Sequence, residues 1–255
     1  MAATKFFFSL QLWGATSSIP VMKMLADQAE GNIARVVSDA FISETSSSGT
    51  FEEDNFSQHG VFLGSHKRTW YSYGSCVGYD QDEVASQYRH LIAQLTRRSA
   101  FLTMFSIFEY NIIECLKLMT ELTNTEYFSR PSLERCHTLL TSHIGGGSIK
   151  NVDHLIVIRN IMAHNNGVAE NYKELLNCRK KTSDSQKRLV RELLRILESD
   201  CGITITNLNE LNMDSRFLDY VISEFHRYTF ELRTAVYAYW ENSKSMGNTR
   251  TDRTH

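Results

Sequence analysis

Apolar residues recur at helical spacing over the central part of the chain. Between residues 82 and 122 they lie three, four or seven positions apart. The set comprises Leu91, Leu95, Leu102, Phe105, Phe108, Ile112, Leu116 and Met119. This spacing places apolar side chains on one stripe of an α-helix. It predicts one long helix, or two helices joined near residues 97–99.

The same periodicity predicts further helices in the C-terminal half. One begins at Pro131, a residue suited to the first helical turn, and ends near Ile144 before three glycines. The next begins near residues 151–153 and ends at Asn165–Asn166–Gly167, residue types that tolerate the left-handed backbone of a helix C-cap. A charged helix is predicted over residues 170–199.

An aromatic-rich helix is predicted over residues 216–242, before a polar tail that we expect to be loose. Between the last two helices, the alternating segment 203–205 predicts a strand paired with residues 208–211 as a small β-hairpin. The fold class predicted for the whole chain is therefore all-α, a helical bundle with one small β-hairpin insertion.

The first 82 residues have a different pattern. Apolar residues fall in two pieces, 6–13 and 19–41, and the second piece has helical spacing. Residues 43–82 are rich in serine, glycine and aromatic residues, which indicates turns with one or two short strands. We therefore predict an irregular N-terminal extension (1–82) packed on a helical domain (83–244), followed by a flexible tail (245–255).

Composition narrows the class of protein. The 255 residues are 42% hydrophobic and include only two prolines, which suits long helices around a sizeable core. The net charge is −2 and the pI is about 6.5. A protein that binds long duplexes needs a broad basic surface, so any nucleic-acid contact here must be local.

The chain offers few indications of metal binding, secretion or membrane insertion. Its five cysteines are scattered and have no metal-ligand spacing, which favours a reducing compartment and no structural zinc. The apolar run near residues 6–10 suits a buried N-terminal element better than a signal peptide. No run approaches about 18 consecutive apolar residues. We expect a cytoplasmic protein with no membrane contact, no metal and no cofactor.

The segment Arg159-Asn160-Ile161-Met162-Ala163-His164 is the best candidate for chemistry. Residues five apart differ by about 140° around a helix, so the two side chains start on different faces. The length of arginine and the position of His164 at the helix end can bring them together. Histidine transfers protons near neutral pH, and arginine offers a fixed fork of donors to a phosphate. Together they suit RNA cleavage without a metal.

This segment resembles the R-(x4–6)-H motif of the HEPN superfamily, in the form with a polar residue after the arginine. The resemblance implies a bundle of four or five helices over about residues 83–242. Many members are metal-independent endoribonucleases whose motif helices meet at a homodimer cleft, in toxin–antitoxin, abortive-infection and CRISPR systems. Others are inactive binding modules. Family members often place an acidic or polar residue opposite the arginine, and Glu109 is the matching position here.

Each candidate residue has a structural alternative. Arg159 can be a surface residue paired with Asp153 or Glu109, His164 a helix-end cap, and Asn160 plain helix surface. Two basic clusters are candidates for RNA contact, although charge runs are usually solvated helix faces. The residues put forward from them are Arg97, Arg98, Lys187, Arg191 and Arg195.

The function predicted from the sequence is a metal-independent endoribonuclease in toxin–antitoxin or anti-phage defence. It would be a homodimer that binds RNA and is controlled by an antitoxin or another regulatory protein. Arg159 and His164 would be catalytic, and Asn160 and Glu109 supporting. The alternative is an inactive HEPN-like module that binds RNA, a nucleotide or a protein.

Overall fold

The computed structural model describes the backbone of residues 2–38, 46–126, 131–177 and 182–251, and the side chains of 10–38, 46–126, 131–176 and 182–243. Within these ranges the chain forms seven helices: α1 (Ala2–Val36), α2 (Gln81–Thr123), α3 (Leu133–Ser142), α4 (Asp153–His164), α5 (Tyr172–Asn177), α6 (Asp184–Glu198) and α7 (Phe217–Thr251). The protein is thus mostly helical, as the periodicity predicts.

Five strands accompany the helices in the described ranges. They are β1 (Ser46–Phe56), β2 (Phe62–Tyr73), β3 (Cys76–Gly78), β4 (Ile203–Ile205) and β5 (Leu211–Met213). The first three form one antiparallel sheet in the order β1-β2-β3, and β4 pairs with β5. The predicted hairpin at residue 203 is therefore present, although its second strand begins only at Leu211, the last residue of the predicted range 208–211.

The chain divides into two compact units. The first contains Met1–Ala26 and Ala100–His255, and the second contains Asp27–Ser99. Both boundaries fall inside helices, one in α1 and one in α2. The boundary that the sequence predicts after residue 82 lies within the second unit.

The first unit has a core of stacked aromatic side chains from α2 and α7. Phe108 and Phe225 stack with their ring centroids 4.0 Å apart, and the edge of Phe101 meets Phe217 at 5.2 Å. All four rings are at most 2% exposed. Such aromatic pairs are stabilising beyond the area they bury, so they fix α7 against α2.

Among the described residues, α2 is the one helix long and apolar enough to cross a bilayer by length and composition. Its 43 residues span about 64 Å. In the first unit, however, α2 buries its apolar stripe against other protein elements, as Phe105, Ile112 and Met119 show with at most 1% exposure. This packing is compatible with a soluble protein.

The N-terminal segment is one continuous helix, where the pattern predicts two pieces. Pro20 lies inside α1 and provides no N–H for the helical ladder. In the turn before it, the hydroxyls of Thr16, Ser17 and Ser18 donate to carbonyls three or four residues back, at 2.7–3.1 Å. The two predicted pieces are separated by the small and polar residues 14–18, which interrupt the apolar spacing although the helix continues through them. Residues 39–41 of the predicted piece lie outside the described residues.

The largest departure from expectation is the β1–β2 hairpin. Its strands are 11 and 12 residues long, where one or two short strands are predicted. Most of its side chains are exposed, including Phe56 and Phe62 at the far end of the ribbon. A ribbon that is solvated on both faces has no apolar–polar alternation, so the sequence lacks the usual signal of a strand.

The C-terminal helices differ from prediction at their ends. The charged segment predicted as one helix over 170–199 contains a short α5 and the longer α6. Residues 178–181 of that segment lie outside the residues that the structure describes. Ser183 caps α6 in a capping box with Gln186. The last helix continues to Thr251, so the predicted flexible tail overlaps its final turns.

Candidate functional site

The motif segment occupies the last two turns of α4. Gly167 and Asn166 adopt positive φ angles of 85° and 53°, and the Gly167 N–H donates to the Ile161 carbonyl at 3.1 Å. This left-handed cap ends the helix at His164, as the Asn–Asn–Gly sequence predicts. The prediction of a helix end at this position is confirmed.

The chain beyond α4 is held by the strand region that follows α6. The Gly167 carbonyl accepts from the Leu211 N–H at 2.9 Å, and the Ala169 N–H donates to the Asn209 carbonyl at 2.8 Å. Gly167 and Ala169 are also buried. The backbone that follows His164 is therefore fixed by main-chain hydrogen bonds at Gly167 and Ala169.

Arg159 lies against α2. Its Nη2 donates to Oε2 of Glu109 at 2.8 Å, and its Nη1 donates to Oδ1 of the neighbouring Asn160 at 2.9 Å. The guanidinium carbon is 5.3 Å from the centroid of the Phe105 ring. The Arg159–Glu109 pair expected from the sequence is present. Both side chains retain just over a quarter of their exposure, so they remain accessible to solvent.

His164 lines an open cleft of about 440 Å³ between the end of α4 and the start of α6. Its α4 wall includes Asn160, one helical turn before His164. The full lining is Val157, Asn160, Ile161, His164, Asn165, Ser185, Arg188 and Leu189. His164 and Asn160 are both exposed. An imidazole, an amide, a hydroxyl and a guanidinium thus meet in one solvent-accessible cavity.

Arg159 is not part of that lining. In the single chain it contacts Glu109, while His164 and Asn160 share the cleft on another face of α4. This follows from the roughly 140° between positions five apart on a helix. A composite site that joins the two side chains across a dimer stays a prediction.

Arg188 is a cleft residue that the sequence pattern does not single out. Its Nη2 contacts Oε1 of Glu134 at 3.1 Å and Oδ1 of Asp153 at 3.4 Å. Burial raises the pKa of Asp153, with the Arg188 charge opposing the shift. Burial opposes ionisation of Glu134 too, but hydrogen bonds, including one from Arg188, hold its pKa below the ordinary value. Two carboxylates therefore orient this guanidinium.

The sequence could identify Arg188 only as one member of a basic helix. Lys187, Arg191 and Arg195 have the regular four-residue spacing that suggests a common face. Nothing in that spacing reveals that Arg188, one position after Lys187, faces the end of α4. The contact depends on how α6 packs against α4, which is tertiary information.

The basic residues predicted to contact RNA are largely engaged with neighbours. Arg195 donates to Oδ1 of Asn151 at 2.7 Å, and Arg191 donates to Oε1 of the buried Glu192 at 2.8 Å. Lys187 pairs with Asp184 at 3.2 Å. These pairs reduce the charge that α6 offers to a phosphate. An RNA contact by these residues stays a prediction.

In the second unit, Arg97 makes a two-pronged ion pair with Glu30, its Nε and Nη2 each lying 2.7 Å from a carboxylate oxygen. The Arg97 side chain is 11% exposed. Arg98, the next residue, is half-buried. A largely buried arginine in a bidentate pair of this kind favours a structural role for Arg97. RNA contact by Arg97 and Arg98 is otherwise untested.

A second histidine of α4 lies in a packed polar network. His154 is 1% exposed, and its Nε2 is 3.0 Å from the Tyr220 hydroxyl and 3.8 Å from Oε2 of Glu224. Burial, with the positive charge of Arg195 adding to it, lowers the pKa of His154 to about 4. Burial also raises the pKa of Tyr220 to about 12. Both side chains are therefore neutral near pH 7.

Within the described ranges, no three histidine, cysteine, aspartate or glutamate side chains are grouped so that they could hold a metal ion. No family model, curated protein or solved structure matches this chain.

Proposed function

We propose that the protein is a metal-independent endoribonuclease of the HEPN type, with Arg159 and His164 as its catalytic residues. The observation that carries the proposal is the exposed end of α4. There, His164 and Asn160 line a polar cleft, and Glu109 orients an accessible Arg159 on the adjoining face. This arrangement offers a proton-transfer group and a phosphate-binding group from the same two helical turns.

The proposed reaction uses the ribose 2′-hydroxyl as an internal nucleophile. His164 takes part in removing its proton while the 2′-oxygen forms a bond to phosphorus. The bond from phosphorus to the 5′-oxygen breaks, and that oxygen receives the proton that His164 has taken up. The products are a 2′,3′-cyclic phosphate and a 5′-hydroxyl. Arg159 stabilises the charge that grows on the phosphorane oxygens.

A homodimer would complete the site. Within one chain, Arg159 and His164 occupy different faces of α4, so a two-fold pairing of α4 ends would bring the Arg159 of one protomer toward the His164 of the other. Asn160 and Glu109 would hold the guanidinium in place. We place this enzyme in the cytoplasm, in toxin–antitoxin or anti-phage defence, where a regulatory protein would restrain it.

A second candidate function is an inactive HEPN-like module that binds RNA, a nucleotide or a protein. One observation favours it: the Arg159 charge is already balanced by Glu109, and the Arg159 side chain lies outside the His164 cleft. A module of this kind would use the cleft for binding without cutting. The two candidates differ in whether RNA is cleaved.

The test is incubation of purified protein with a single-stranded RNA oligonucleotide in excess EDTA. The proposal predicts cleavage with 2′,3′-cyclic phosphate and 5′-hydroxyl ends, identified by mass spectrometry. An otherwise identical oligonucleotide with a 2′-deoxyribose at the cleaved position is the control, and it should stay intact. Cleavage that requires a metal, or that proceeds past the deoxyribose, would refute the mechanism. Binding of RNA without cleavage would establish the second candidate.

A further inference from the structure

Arg188 has donors that its protein partners do not use. Both of its ion pairs, with Glu134 and Asp153, are made through Nη2. Within the described part of the chain, neither Nη1 nor Nε donates a hydrogen bond, and Nε is buried. A guanidinium presents five N–H donors in a rigid fork. The two carboxylates therefore engage Nη2, the buried Nε is closed to a ligand, and the Nη1 donors stay uncommitted.

The cleft next to this arginine has two chemically different linings. Val157, Ile161 and Leu189 provide apolar surface, while the α4 side adds Asn160 and His164. The volume of about 440 Å³ falls within the range of small-molecule sites, and it is too small for a duplex. Apolar surface suits the face of a base, and the uncommitted guanidinium donors suit a phosphate.

From these features we propose that the cleft binds one nucleotide of a single-stranded RNA, with its phosphate on Arg188 and its base against Val157, Ile161 and Leu189. The nucleotide bound there places the adjoining ribose and phosphodiester beside His164. This inference rests on the proposed function, since it assigns a substrate subsite to the cleft that His164 lines. Arg188 acts here in binding and not in proton transfer.

The inference is tested by binding, which does not depend on cleavage. The probe is a 2′-O-methyl RNA tetranucleotide, which cannot undergo 2′-hydroxyl attack, and its affinity is measured by calorimetry. Arg188→Ala should weaken binding about 10- to 100-fold, because a charge-assisted hydrogen bond to the phosphate is lost. Arg216→Ala is the matched control in the same unit, since Arg216 also pairs with two carboxylates, Asp200 and Asp214, and does not line the cleft. It should bind as wild type does.

Arg188→Ala leaves Glu134 and Asp153 without their cation, so a loss of binding by this variant can also come from a destabilised fold. A second variant that keeps Arg188 separates the two explanations. Asn160→Asp on the exposed opposite wall adds a negative charge to the cleft and should weaken tetranucleotide binding about tenfold through repulsion of the phosphate. Equal affinity of wild type, Arg188→Ala and Asn160→Asp would overturn the inference. Binding of AMP but not of the tetranucleotide would also overturn it, since the cleft would then hold a free nucleotide.

The outcomes separate this inference from the nuclease proposal. If wild type cleaves RNA but the Arg188 and Asn160 variants bind the tetranucleotide normally, the enzyme stands and the subsite is wrong. If the variants lose binding while wild type never cleaves, the subsite stands and the protein is a binding module.

Discussion

The two ends of α4 place the same residue type in opposite environments. His154, in the first turn, is 1% exposed and packed beside Tyr220 and Glu224. His164, in the last turn, is exposed and lines an open cleft. Ten residues of one helix separate a histidine held neutral by burial from a histidine available to a ligand.

This difference shows that packing, and not residue type, decides which histidine is available for chemistry. Around His154, the helices α6 and α7 close over α4 with Arg195, Glu192 and Glu224. Around His164, the left-handed turn at Asn166–Gly167 directs the chain away and leaves the ring open. The buried end stabilises the fold, while the open end is free to bind.

The largest expected effect on stability comes from removing His154. His154→Ala leaves a cavity and removes the partner of the Tyr220 hydroxyl, so the free energy of unfolding should fall by about 2–3 kcal/mol. His164→Ala removes an exposed ring, so its effect should stay within about 0.5 kcal/mol. Urea unfolding followed by circular dichroism measures both. Equal losses for the two variants would contradict the comparison.

The second effect is on the pH dependence of stability. The pKa of His154 is lowered to about 4 in the folded protein, so the unfolded chain takes up the proton first as the pH falls. Stability present above about pH 6.5 should therefore decline toward pH 4, by about 2 kcal/mol between pH 7 and pH 5.

Urea unfolding at pH 7, 6 and 5 measures this effect. The reference is His154→Leu, which keeps a side chain of similar volume but cannot titrate. The unfolding free energy of wild type, taken relative to that of His154→Leu, should fall by about 2 kcal/mol from pH 7 to pH 5. A difference that stays constant between pH 7 and pH 5 would show that His154 is not buried as described.

A smaller effect on stability than that of His154 is expected between the two ends of α4, at the Arg159–Glu109 pair. Both side chains are partly exposed, so Glu109→Gln should lower the free energy of unfolding by less than about 1 kcal/mol. Its effect on cleavage should be larger, about tenfold, because the carboxylate holds the guanidinium in position. Glu114→Gln is the matched control, since Glu114 pairs with Lys117 on the same helix. Equal cleavage by both variants would show that Glu109 positions nothing.

The helices were the most predictable part of the fold. The stripe from Phe105 to Met119 is buried as its spacing predicts, because a long helix that buries one face needs apolar residues at that period. The end of α4 was predictable for a local reason, since Asn166 and Gly167 adopt the left-handed backbone that their residue types favour.

The β1–β2 ribbon could not be predicted in the same way. Its strands are held by main-chain pairing and by cross-strand contacts such as Arg68 to Glu53 at 2.9 Å, without burial on either face for most of its length. Alternating apolar and polar residues indicate a strand with one buried face, so a ribbon that is solvated on both faces does not show this alternation.

The candidate site was predictable only in part. A motif at the end of a predicted helix singled out Arg159 and His164 as candidates. The resemblance that this motif carries placed Glu109 opposite Arg159. The sequence did not identify Arg188, since membership in the cleft depends on the angle and register at which α6 meets α4.

The most direct test of the central claim compares two exposed histidines at helix ends, His164 of α4 and His143 at the C-cap of α3. Single-turnover cleavage of a single-stranded RNA in EDTA is measured for wild type, His164→Ala and His143→Ala. The account predicts that His164→Ala lowers the rate at least about 100-fold at unchanged stability, while His143→Ala leaves it unchanged. Cleavage by His164→Ala at the wild-type rate would contradict it.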